Sequence, residues 1–228
     1  MYRTFVKCKG VTLMNSQNII FNATHYMKQC HKHDTSGHDV AHVQRVVKIA
    51  LHIAEQEQQG DRLVIQLAAL LHDTVDSKLT DVTDATVKLQ QFLKQQKLSQ
   101  SQQSEIMFII NNMSYNNGAN NHVELPIEGQ IVRDADRLDA LGAIGIARTF
   151  QFAGHFNEPM WVESEENHPL LDVEIDKQDT PPSAIKHFYE KLFKLKSLMH
   201  TKTGKKMAEE RHDYMKRFVT QFFNEWYF

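Results

Sequence analysis

Along most of this chain apolar residues recur at spacings of three and four, the period of an amphipathic helix, and no segment alternates convincingly with period two. Ile19, Ile20, Ala23, Met27 and Cys30 form one such stripe and predict a helix from about Ser16. After a loop over 31–37, Asp39 can cap a second helix that carries Val43, Val47, Ala50 and Ala54 and stops at Gly60. Asp61 then opens a helix of another kind. Eight of the nine residues over 63–71 are apolar, so the run has no polar face and must lie at the centre, with other elements on every side. Thr83 or Asp84 begins a fourth helix with Val87, Phe92 and Leu93 facing inward. Ser101 or Ser104 begins a fifth with Ile106, Ile109, Ile110 and Met113.

An Asn-rich turn over 111–121 leads to Pro126, which fits the first turn of a helix through Ile131, Ala135 and Leu138. The small residues Gly142, Ala143, Gly145 and Ala147 allow close packing of the helix that follows over 141–152. Regularity fails over 155–182. Eight acidic residues and one lysine lie over 158–179, a composition that predicts an exposed flap rather than core. Two helices close the chain, one with Ile185, Phe188, Leu192, Leu195 and Met199, the other with Met207, Met215, Phe218, Phe222 and Trp226. The expectation is all-α: a single helical bundle of roughly nine helices over 16–228, with 1–15 as an extension lacking a clear period.

Composition narrows the function classes. The 228 residues, 41% of them hydrophobic, suffice for one domain with a full core. A net charge of −2 offers no basic surface for nucleic acid or an anionic membrane. No apolar stretch approaches the roughly 18 residues of a membrane span. Two cysteines, Cys8 and Cys30, are too few for a disulfide framework, which makes a reducing, cytoplasmic setting the default. Residues 1–33 contain no Asp or Glu, and Met14 is an alternative start because the regular pattern begins just after it. A small-molecule partner, with the protein a monomer or homodimer, is the expectation.

Chemistry enters where the central run ends, at His72-Asp73. His-Asp pairs occur four times, at His33-Asp34, His38-Asp39, His72-Asp73 and His212-Asp213, and only the third follows a long apolar helix. Polar groups delivered beside a core need a partner there, and a metal ion satisfies both. His42, on the preceding amphipathic helix with Arg45 three residues on, is a further donor. Downstream, Asp134, Asp136 and Asp139 lie in an apolar-periodic helix. Ala135 and Leu138 on its inward stripe turn Asp136 towards the interior edge, with Asp134 and Asp139 as rivals. His42, His72, Asp73 and Asp136 would supply two imidazoles and two carboxylates. That mix suits Mn²⁺, Fe²⁺, Co²⁺ or Zn²⁺, and Mg²⁺ less well. A competing reading takes His38 and His42, four apart in a His-rich tract with His25, His31, His33 and His52, as a separate metal pair. It is discounted because Gly37-His38 precedes the helix and His52 lies in its middle, which leaves His38 facing the pocket as a phosphate contact.

These segments resemble the HD-domain superfamily of metal-dependent phosphohydrolases. The resemblance rests on His42, Leu70-Leu71-His72-Asp73 and Asp134-Ala135-Asp136-Arg137-Leu138-Asp139-Ala140. Gly37-His38-Asp39, the run from Leu141 to Arg148 and the helix of His187-Phe188-Tyr189-Glu190-Lys191-Leu192 are similar to a bacterial single-domain subfamily. The resemblance implies metal ligands at His42, His72, Asp73 and Asp136, and some members hydrolyse nucleoside triphosphates to monophosphate and pyrophosphate. It also places an acidic catalytic residue at Asp76, three residues after Asp73. Lys78 follows the site closely enough to meet phosphate, and Arg45, Arg137 and Arg148 are further candidates or simple ion-pair partners. Related two-iron sites add histidines between the central pair and the last aspartate, where this chain has only His122. One divalent ion, Mn²⁺ first, is therefore the expectation. Hydrolysis of (deoxy)nucleoside triphosphates is the leading activity. A nucleoside 5′-monophosphatase, a cyclic-nucleotide phosphodiesterase and a non-catalytic metal-dependent nucleotide sensor are the alternatives.

Overall fold

The computed structural model describes residues 4–32, 38–75, 82–115, 118–163 and 181–228. Among them there are helices and turns and no strand, as the period of the apolar positions requires. The chain packs as two compact units, and the division falls between Arg133 and Asp134, inside one continuous helix.

The first unit is built around α3 (Arg62–Leu71), against which α1 (Thr4–Cys30), α2 (Val40–Glu57) and α5 (Gln100–Asn112) pack. Val64, Ile65 and every residue from Leu67 to Leu71 are buried, so α3 has the central place its lack of a polar face demands. Fully burying a large aliphatic side chain contributes about 1.5–3 kcal/mol, so Val64, Ile65, Leu67, Leu70 and Leu71 each add to the unit's core on that scale. Its start is fixed sharply. Gly60 takes φ 87°, a left-handed conformation that favours glycine, and a Cβ there would lie 2.8 Å from Ile65 Cδ1. Asp61 Oδ1 then accepts from Leu63 N at 2.8 Å, the Asp61 amide donates to Glu128 Oε1 at 2.7 Å, and Gln102 Nε2 donates to Asp61 Oδ2 at 3.0 Å.

Two helix starts and one inward stripe differ from expectation. The first helix begins at Thr4 rather than near Ser16, since an established helix propagates at little cost, here through Gly10 and several weak helix formers. Ser99, not Ser101 or Ser104, caps α5, through a capping box with Gln102. In α4 (Val82–Gln95) the inward stripe is Ala85, Leu89 and Leu93. Val87 points to solvent, and Phe92 is half-buried, stacked on Tyr26 with ring centroids 4.7 Å apart.

The second unit holds the end of α6 (Ile127–Asp139), α7 (Gly142–His155), a helix over 184–198 and the C-terminal helix Lys202–Trp226. The helix over 184–198 starts as α, widens to one π turn over Phe188–Leu192 and tightens to 3₁₀ at Lys196–Leu198, a distortion that residue spacing does not announce. Phe188 is fully buried, and its ring stacks on Phe218 at 6.0 Å, with Phe150 edge-on to Phe218 at 5.9 Å. Most of the acidic segment lies outside the described residues. Its described beginning is not flap-like: Ala184 N and Ile185 N donate to the Pro159 and Met160 carbonyls, and Trp161 is buried against Phe223 with its indole N–H on Tyr227 Oη at 3.0 Å. No helix among the described residues is long and apolar enough to cross a membrane.

Candidate metal centre

Two helix ends bring the imidazoles together. Asp39 is the N-cap of α2, and its side chain accepts from His42 N at 2.7 Å, which fixes the first turn and buries His42. His38 stands immediately before that cap. At the other end, α3 runs into a 3₁₀ turn, His72–Val75, tied by Thr74 Oγ1 to the Leu71 carbonyl at 2.7 Å. The turn delivers His72 and Asp73, both buried, as the central run implies.

The protonation pattern follows from the contacts. His72 Nδ1 lies 2.9 Å from the Ala69 carbonyl, which can only accept, so Nδ1 carries a proton and Nε2 is the nitrogen left for a second proton or a cation. That nitrogen is 3.3 Å from His42 Nε2 and 3.3 Å from Asp73 Oδ1. Asp73 Oδ2 is 3.3 Å from His42 Nε2 and 3.0 Å from His38 Nδ1. A lone pair aimed at a carboxylate oxygen inside the fold is reconciled only by a proton or a cation. Burial raises the Asp73 pKa, but the His72 charge and the hydrogen bonds from His38, His42 and His72 outweigh it and hold the carboxyl well below the usual range.

The donor set fits a divalent ion. Ligand atoms about 2.1 Å from one ion at tetrahedral or octahedral angles are about 3.0–3.4 Å from one another. The spacings among His42 Nε2, His72 Nε2 and the Asp73 oxygens fall in that window. His38, His42 and Asp73 also form a group able to hold an ion, with their donor atoms within 4.8 Å of one another.

The other candidates have varied placements. Asp136 is half-buried on α6, in the second unit. Its two rivals are already engaged. Asp134, with no exposed surface, accepts from His200 N at 2.9 Å, Thr201 N at 2.8 Å and Thr201 Oγ1 at 2.8 Å; Asp139 pairs with Arg148 at 3.0 Å. Arg137 Nη1 donates to the Leu198 carbonyl, so both it and Arg148 have structural partners. Arg45 is half-buried on α2, and His122 is exposed. Asp76 and Lys78 lie outside the described residues.

Sequence reasoning missed Arg133. Its side chain is fully buried and donates to the carbonyls of Asn112 at 2.8 Å, Asn120 at 3.2 Å and Val123 at 3.2 Å, gathering the Asn-rich connection before α6. An arginine between the inward residues Val132 and Ala135 was the available signal. The role of Asp134 as the anchor of the C-terminal helix was missed as well. Thr201 caps that helix, and a Cβ on Gly204 would lie 2.5 Å from Asp134 Oδ2, so only glycine lets the helix start so close to the carboxylate.

Known proteins match this arrangement. The sequence profile of the HD domain matches residues 40–141, which span α2, α3, the 3₁₀ turn and α6. Bacillus subtilis YpgQ is 40% identical over 190 residues, 82% of this chain and 84% of that protein. A crystal structure of YpgQ in complex with ADP superposes with a TM-score of 0.73 and 30% identity, covering 92% of this chain and 96% of that one. An HD-superfamily hydrolase from Bacillus thuringiensis superposes with a TM-score of 0.70 and 38% identity, covering 92% and 98%. The chain belongs to the HD-domain family and is a metal-dependent phosphohydrolase of that superfamily.

Proposed function

We propose that this chain hydrolyses nucleotides, taking (deoxy)nucleoside triphosphates to the monophosphate and pyrophosphate with one bound Mn²⁺. The observation that carries the reading is the ADP held by YpgQ, 40% identical to this chain, taken together with the imidazole and carboxylate cluster at the end of α3. In this reading His42, His72, Asp73 and Asp136 hold the ion, Asp136 on the strength of the family pattern. When bound, a divalent ion polarises a phosphoryl oxygen and makes water a better nucleophile. The chain's own residues do the rest. Asp76 accepts a proton from the attacking water as the new bond to the α-phosphorus forms and the bond to the bridging oxygen breaks. Lys78 offsets the charge on the departing pyrophosphate. Arg45, Arg137 and Arg148 are the arginine candidates for phosphate, the last two also bonded to the Leu198 carbonyl and to Asp139. The catalytic domain spans 16–228 and works in the cytoplasm on small molecules.

The test is product identification. Purified, Mn²⁺-loaded protein is incubated with nucleoside tri-, di- and monophosphates and cyclic nucleotides, and the products are read by phosphorus NMR. Pyrophosphate in equal amount with monophosphate is expected from triphosphates. Orthophosphate from monophosphates, opening of cyclic nucleotides, or binding without turnover would each overturn the triphosphate reading in a distinct way.

A further inference from the structure

We propose that His38 is a positioning residue of the metal centre: its Nδ1–H donates to Asp73 Oδ2 and so fixes the orientation in which the carboxylate meets the ion. The inference rests on the metal reading above and adds a residue to it.

His38 Nδ1 and Asp73 Oδ2 are 3.0 Å apart, the ordinary length of an N–H···O hydrogen bond, whereas the closest approaches among His42 Nε2, His72 Nε2 and Asp73 are uniformly 3.3 Å. The three rings differ in setting too. The side chains of His42 and His72 are 1% and 3% exposed, and that of His38 is 19% exposed, which places it at the rim of the cluster. Edge-to-face ring pairs, His38 with His42 at 5.7 Å and His42 with His72 at 5.4 Å, stack the imidazoles in a row with His38 outermost. Asp39 holds this row in place, because the cap that fixes His42 directly follows His38 in the chain.

The consequence is chemical. A carboxylate with both oxygens free can bind an ion through either or both, and its orientation then varies with the ion. With Oδ2 tied to an imidazole N–H, Asp73 is held in one orientation before any ion arrives. Hydrogen bonds to ligating groups commonly alter metal affinity by about 10–100-fold. An expectation of direct phosphate contact does not follow for a nitrogen already engaged with Asp73. The exposed edge of the ring remains the side towards solvent.

The experiment compares His38→Ala and His38→Asn with the unmodified protein and with His42→Ala and Asp73→Ala. Mn²⁺ affinity is measured by calorimetry, and Co²⁺ binding by visible absorption, neither of which depends on turnover. Asn places an amide N–H close to the position of Nδ1. His38→Ala is expected to weaken Mn²⁺ binding by about 10–100-fold, His38→Asn to recover most of that loss, and the Co²⁺ spectrum of His38→Asn to match that of the unmodified protein. Unchanged affinity in His38→Ala would overturn the inference. A lasting loss in His38→Asn with an altered Co²⁺ spectrum would overturn it by making His38 a ligand. Either outcome leaves the metal centre standing, provided His42→Ala and Asp73→Ala lose the ion. Retention of metal by those two controls would remove the centre itself, and this inference with it.

Discussion

Asp73 and Asp134 are both buried carboxylates, and burial raises the pKa of both, yet their net shifts are opposite. Around Asp73 the neighbours are imidazoles; the His72 charge and hydrogen bonds from His38, His42 and His72 outweigh burial, and the carboxyl is held low. Around Asp134 they are the amides of His200 and Thr201 and the Thr201 hydroxyl, with Arg137 contributing charge. These do not overcome burial, and the pKa stays raised. The difference separates a site from a support. Asp134 has its oxygens filled by short neutral bonds at the start of a helix, whereas Asp73 shares its space with groups that an ion can rearrange.

The largest effect expected from this contrast is loss of the ion. Asp73→Ala and His72→Ala each remove a donor from the cluster, so a protein purified with one divalent ion per chain should lose it in both variants. Elemental analysis showing a full complement in both would reduce Asp73 to the same supporting role as Asp134. Stripping the ion from the unmodified protein should abolish hydrolysis, and returning Mn²⁺ should restore it.

Next in size is Asp76→Asn. If the chain uses Asp76 to accept the proton from water, this change lowers kcat by about 10²–10⁴-fold, with metal content unchanged. Near-normal turnover would mean that Asp73 and its imidazole neighbours work without a separate base.

On the supporting side, Asp134→Ala leaves two backbone N–H groups and a hydroxyl without their acceptor. A loss of about 3–5 kcal/mol is expected in denaturant titration. Asp134→Asn keeps one acceptor oxygen and avoids the buried charge, so its loss should be clearly smaller. Equal losses would show that the charge, rather than the hydrogen bonds, matters at this position.

This contrast also marks what residue order could reveal. The central place of α3 was legible because eight apolar residues in nine leave a helix no face for water, and the cluster was legible because that helix ends in His72-Asp73. Asp39 and Asp61 announced their caps for the same local reason. What was not legible depends on residues far apart in the chain. Asp134 is a support only because Thr201 and Gly204, some seventy residues later, bring a helix start to it. Arg133 reads as an ordinary helix charge until the Asn112, Asn120 and Val123 carbonyls are seen around it. The π turn over Phe188–Leu192 leaves the apolar stripe intact and so has no signature in spacing.

The smallest expected effect concerns His212, a buried ionisable group with neither role. It lies on the C-terminal helix, edge-on to Phe193 at 5.3 Å, and its Nδ1 has no hydrogen-bond partner among the described residues. Burial lowers its pKa and Lys196 and Lys216 lower it further, while Asp213 and Glu209 act in the opposite direction. With the folded value below the ordinary 6.5, the folded state binds fewer protons than the unfolded one across that interval. Its contribution to stability is therefore complete above the unfolded value and is lost as pH falls through the folded one. The unmodified protein should lose more stability than His212→Gln on acidification from neutral pH towards pH 5, measured as the change in Tm. Every other ionisable group is common to the two proteins, so the difference between the two slopes belongs to position 212. Equal slopes would show that water reaches the ring, and that burial costs this imidazole no more than it would cost a surface one.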